Sequence, residues 1–213
     1  LALVAGISFL AGMTDAVGLM LTGDFVSFMT GNTTRAAISL AQGNLAHALS
    51  LLLAILLFVC GNALGVIVAR LAPRRVFSVL AAAGLLIGVA AFLNAPSLRL
   101  VQFGLVVLSM GLVNAAVEHV EGLPIGLTYV TGALSRFGRG IGRFLMGERR
   151  FDWWIQIVPW LGMVSGAVCG ALTGYWMQPH ALAIVALAAM ALALATLLVP
   201  QHLQRRFGHR AAR

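Results

Sequence analysis

Residues 48–70 read ALSLLLAILLFVCGNALGVIVAR, an apolar run whose single charge is the closing Arg70. At about 1.5 Å of rise per residue, a helix of this length reaches across the roughly 30 Å of hydrocarbon in a bilayer. Comparable runs lie at 1–22, 76–94, 100–120, 153–177 and 181–199, so about six transmembrane helices are expected. Residues 1–22 are too long, and too polar at Thr14 and Asp15, for the apolar core of a signal peptide, and read as the first span. Helix stops with polar or basic flanks separate several of these runs: Ala72-Pro73-Arg74-Arg75, Asn94-Ala95-Pro96-Ser97 and Gln178-Pro179-His180.

Composition supports the same class. Of 213 residues, 61% are hydrophobic and 9% charged, and the mean hydropathy is +0.98. Soluble domains carry about 25% charged residues, because their exterior must meet water. The net charge of +8 comes from arginines that gather between and after the apolar runs, the placement of loop charge facing anionic headgroups. No basic helix with interleaved aromatic residues is present, so no nucleic-acid partner is expected. Cys60 and Cys169 fall inside apolar runs and read as small packing residues.

Two connections, 23–47 and 121–152, are long and mix glycine, hydroxyl and arginine residues with apolar ones. They belong to an internal repeat. Phe28-Met29-Thr30-Gly31-Asn32-Thr33-Thr34-Arg35 aligns with Tyr129-Val130-Thr131-Gly132-Ala133-Leu134-Ser135-Arg136. Upstream, Ala11-Gly12-Met13-Thr14-Asp15-Ala16 aligns with Met110-Gly111-Leu112-Val113-Asn114-Ala115. Downstream, Cys60-Gly61-Asn62-Ala63-Leu64-Gly65 aligns with Ser165-Gly166-Ala167-Val168-Cys169-Gly170. Three spans per half place the second half upside down relative to the first, the arrangement common among secondary transporters. The expected fold class is therefore all-α: a polytopic membrane helical bundle of two inverted three-helix repeats, with irregular or half-helical T-G segments. Repeat 1 covers 1–94, repeat 2 covers 95–200, and a basic tail covers 201–213. Connections 2–3 and 4–5 hold eight of the arginines against six opposite, which leans them toward the cytoplasm.

Candidate chemistry concentrates in these blocks. Ser8, Gly12, Asp15 and Thr22 form one polar stripe on the first span; Gly104, Gly111, Asn114, Glu118 and Glu121 form another on the fourth. A carboxylate in a span costs about 2.5–3.5 kcal/mol on insertion scales, so Asp15 should face protein or water, and the two stripes should face each other or a shared cavity. Packing between helices is the competing use of Asp15 and Asn114. In the T-G segments glycine lets the backbone turn, the hydroxyls of Thr30, Thr34, Thr131 and Ser135 suit capping or ligand bonds, and Arg35 and Arg136 supply planar cations. The expected substrate site is Asp15, Thr30, Gly31, Asn32, Thr34, Arg35, Asn114, Glu118, Thr131, Gly132, Ser135 and Arg136. Gly61, Gly65, Gly166 and Gly170 read as close-packing notches. His119 between Glu118 and Glu121 is a poor metal-ligand set, so no metal and no cofactor is expected. There is no nucleophile turn, zinc-protease helix or phosphate loop, so an enzyme is the weaker class.

Gly12-Met-Thr-Asp15-Ala-Val-Gly18, followed by Phe25-Val-Ser-Phe-Met-Thr-Gly-Asn32, resembles the YoaK-like family of bacterial membrane proteins over most of the chain. The resemblance implies a multi-span protein of the bacterial inner membrane with no assigned activity. The residues themselves point to a transporter of a small solute, with a proton-coupled small anion or carboxylate as the concrete substrate class and a homodimer as the working unit. The rival is a non-transporting scaffold or sensor subunit whose polar stripes serve packing.

Overall fold

A computed structural model describes residues 1–93, 95–121, 130–148 and 152–198; the side chains of 117–121 and 152 are outside it. The expected roles of Glu118 and of the tail 201–213 therefore lie outside the described residues, as do Arg149 and Arg150. The described residues form eight α-helices: α1 (Ala2–Thr22), α2 (Met29–Ala41), α3 (Leu45–Leu71), α4 (Arg75–Ala91), α5 (Arg99–Glu121), α6 (Val130–Leu145), α7 (Val158–Trp176) and α8 (Ala181–Leu197). Five segments are long and apolar enough to cross a membrane, namely Ala2–Thr22, Leu45–Leu71, Pro96–Ala116, Trp153–Trp176 and Gln178–Leu197. The sixth apolar helix, α4, has 17 residues, about 26 Å of length. It is an inner member of the bundle, with Val79, Leu80, Ala83, Ile87 and Ala90 fully enclosed.

Boundaries follow local chemistry. Gly23 closes α1 in the left-handed conformation at φ +81°, its N–H donating to the Leu19 carbonyl. The Asn44 side chain caps α3 by accepting the His47 N–H at 3.2 Å. The span expected from 153 is helical in two pieces. A 3-10 turn at Asp152–Ile157 leads into α7, whose first turn accommodates Pro159 because that position needs no N–H partner.

Around the core, α3 exposes Leu49, Leu52, Leu53, Leu56, Val59 and Ile67, and α7 exposes Leu161, Val168 and Leu172. Side chains of this kind on the outside suit acyl chains rather than water. Cys60 and Cys169 lie on these same outer faces, a correction to their reading as packing residues.

The strongest helix packing is α1 on α7 and α3 on α5, with α4 on α8 and on α5. Glycines set the first two pairs. A Cβ at Gly12 would collide with the Met163 carbonyl, and one at the aligned Gly111 with the Phe58 carbonyl. Gly166 and Gly170 meet the backbones of Phe9 and Met13; Gly61 and Gly65 meet those of Leu108 and Leu112. Phe9, Met13 and Met163 align with Leu108, Leu112 and Phe58 under the same block alignment, so each contact in one pair has its counterpart in the other. In both pairs the residue numbers rise together, so α1 runs parallel to α7 and α3 parallel to α5. In the third pair Gly84 faces Ala189 and Gly88 faces Ala186, so α4 and α8 are antiparallel.

Candidate functional site

The D-A-x-G and M-T-G-N blocks meet at the turn between α1 and α2. Chain reversal there leaves backbone groups of residues 24–28 without helical partners, and buried polar groups must be paired. Asp15 supplies most of the pairing. Its Oδ1 accepts the N–H groups of Val26 at 2.9 Å and Ser27 at 2.8 Å, and its Oδ2 accepts the Ser27 hydroxyl. From the first turn of α2, Asn32 reaches back to Phe25, its Nδ2 donating to the carbonyl at 2.6 Å and its Oδ1 accepting the N–H at 3.2 Å. Gly18 and Gly31 make room for this clasp. A Cβ at Gly18 would lie 2.6 Å from Val26 Cγ1, and one at Gly31 would strike the Phe28 ring. Asp15 and Asn32 are both buried, at 7% and 0% exposure, so their polar atoms serve the turn.

Beside the clasp lies a cluster that no motif announced. Asp24, immediately after the α1 stop, meets Arg35 Nη1 at 3.2 Å and His47 Nε2 at 3.0 Å. His47 Nδ1 is 2.9 Å from the hydroxyl of Ser39. Arg35 also donates to the Gly23 carbonyl and lies 5.8 Å from the centre of the Phe25 ring, a cation-π distance. Ser39, His47 and Asp24 thus stand in hydrogen-bonded series, with Ser39 buried. Asp24 and His47 are 23 positions apart, joined only by the fold. Of the hydroxyls expected to bind ligand, that of Thr34 donates to the Thr30 carbonyl at 3.1 Å; the neighbouring Thr33 hydroxyl donates to the Met29 carbonyl at 2.9 Å.

In the second half Asn114 Nδ2 donates to Asn62 Oδ1 at 2.7 Å, joining α5 to α3. The polar stripe of α5 thus faces α3 at Gly111 and Asn114, whereas that of α1 faces α7 at Gly12 and the turn at Asp15. Arg136 Nε donates to Gln156 Oε1 at 2.8 Å. Thr131 and Ser135 are exposed, and Gly132 is half-buried. Arg136 lines a cleft of about 420 Å³ with Arg139, Gly140, Arg143, Glu148, Trp153 and Gln156. Arg35 and Arg136 sit in different helix packings, α2 against α3 and α6 against α7 with its preceding 3-10 turn.

An all-helical bundle of long apolar helices with lipid-suited exteriors defines a multi-pass transmembrane protein. Residues 3–197 match the family model described as a protein of unknown function (DUF1275), and the chain belongs to that family. It is 53% identical over 208 residues to the UPF0700 transmembrane protein RA0705 of Rhizobium meliloti (strain 1021), covering 97% of this chain and 90% of that one. No solved structure matches it. The family resemblance carried by the two blocks is thereby supported, and so is the absence of an assigned activity.

Proposed function

We propose that the protein is a secondary transporter of the bacterial inner membrane, built from two inverted three-helix repeats and moving a small anion together with a proton. The observation that carries this reading is the reciprocal packing of Gly12 on α7 and Gly111 on α3, together with the helix directions. Parallel α1 and α7 require an odd number of crossings between them, and antiparallel α4 and α8 an even number. Both conditions hold when α1, α3, α4, α5, α7 and α8 cross and α2 and α6 do not. Two crossings, α3 and α4, then lie between α1 and α5, so equivalent helices point in opposite directions. Such inverted halves support alternating access by rocking one bundle on the other. The α1–α7 and α3–α5 pairs are natural rigid units, and the small-residue contact of α4 with α8 lies between them.

Proton coupling is assigned to Asp24, His47 and Arg35. Arg35 is 40% exposed and shares the Asp24 carboxylate with His47. A proton taken up by the Asp24–His47 pair weakens the hold on Arg35 and frees its guanidinium fork for an incoming carboxylate or phosphate. The rival scaffold reading draws on one observation, the use of Asp15 and Asn32 by the clasp. Proteoliposomes decide between them. Uptake of small carboxylates driven by an inward proton gradient should collapse in Arg35→Lys and lose its pH dependence in Asp24→Asn. Folded protein that moves no anion across a broad panel, or flux indifferent to both substitutions, overturns the transport reading.

A further inference from the structure

We infer that the arginine cleft between α6 and the turn Asp152–Ile157 binds the phosphate of an anionic phospholipid headgroup. Arg136, Arg139 and Arg143 are spaced three and four residues apart, so they share one face of α6. Among the described residues that line the cleft there is one carboxylate, Glu148. Arg136 is oriented by neutral Gln156, an amide that offers its charge no compensation. Among the described residues, no ion pair engages Arg139 or Arg143. Trp153, which lines the same cleft, has a buried Nε1–H with no partner among the described residues. A donor in that state requires an acceptor, and a phosphate oxygen is one.

The apolar surroundings select a lipid over a soluble anion. Trp153 lies on Gly140, where a Cβ would collide with the indole, and stacks near Phe137 at 5.4 Å and Phe144 at 6.0 Å between ring centroids. Ile141, Phe144, Leu145, Met146 and Trp154 are exposed around the same helix. Arginines on one face and large apolar side chains on the other make an interfacial helix, which seats its apolar face in acyl chains and its cations at phosphate level. A free phosphate would use the arginines and leave the apolar rim unexplained.

The test uses the full chain in detergent, with native mass spectrometry and thermal unfolding followed during titration of phosphatidylglycerol, phosphatidylcholine or inorganic phosphate. Phosphatidylglycerol should bind and raise the unfolding temperature, and phosphatidylcholine should not. Each of Arg139→Gln and Arg143→Gln should weaken the phosphatidylglycerol interaction about fivefold, while Arg99→Gln, at an exposed position where α5 begins, leaves it unchanged. Should a variant not fold, the wild-type protein must still lose phosphatidylglycerol as sodium chloride rises from about 0.05 to 0.5 M. Equal binding of both lipids, a salt-insensitive interaction, or full phosphatidylglycerol binding by the folded variants overturns the site. Binding of inorganic phosphate to the Arg35→Gln protein that phosphatidylglycerol does not displace overturns the lipid assignment.

Discussion

Between Gly23 and His47 the first half of the chain uses its charges on itself, whereas between Arg136 and Gln156 the described residues of the second half leave arginines without ion pairs. The two regions occupy equivalent places in the block alignment, after Asp15 and Asn114 and before the Gly61 and Gly166 notches. In the first, Asp24 neutralises Arg35, and Asp15 with Asn32 holds the turn closed. In the second, Arg136 finds a neutral amide, Asn114 bonds Asn62 on α3, and two further arginines join the same face. A shared scaffold can therefore carry one closed end and one basic end. Among the described residues the difference lies in what stands beside the arginine, an acid in one region and an amide in the other.

Substitutions at aligned positions probe this comparison, beginning where the halves should behave alike. Gly12→Leu and Gly111→Leu each force a side chain into a neighbouring backbone, and overpacking of this kind costs about 1–3 kcal/mol or more. Both should lose monodisperse protein on size exclusion to the same extent; tolerance of one alone breaks the equivalence of the two packings. Asp15→Ala removes the acceptor of two backbone N–H groups and a hydroxyl, a loss of about 3 kcal/mol, whereas Gln102→Ala, which loses one bond from α5 to the Ala90 carbonyl of α4, should cost about 1 kcal/mol. Thermal unfolding in detergent checks the order, and equal losses would mean that the clasp contributes no more than an ordinary interhelical bond. Arg35→Gln should cost below about 1 kcal/mol, because its partnership with Asp24 is partly solvent-screened. Arg139→Gln should shift stability by less than about 0.5 kcal/mol, since nothing among the described residues is lost with its charge. A larger loss at Arg139 than at Arg35 would invert the contrast between the two ends.

Membrane class and the apolar helix runs were legible in residues 1–198 because a bilayer imposes long apolar helices whatever the partners are. The glycine notches were legible for a related reason: absence of a side chain inside a span has few uses. The T-G arginines were legible as cations but not as members of different clusters, since spacing along a chain says nothing about what a neighbouring helix offers. Asp24 and His47 gave no local signal at all. Their pairing needs α1 to stop at Gly23 and α3 to start at Asn44, so that residues 23 positions apart come within 3.0 Å.

Asp15 draws the line most sharply. Its cost within an apolar span already demanded a partner, and that much follows from solvation energy alone. Whether the partner would be a substrate, a second helix or a backbone turn depended on which donors the fold brought to it. The chain reversal at Gly23 brought Val26 and Ser27, and that choice rests on how the turn packs back on α1: Gly18 admits the Val26 side chain, a contact that exists only once the turn has closed.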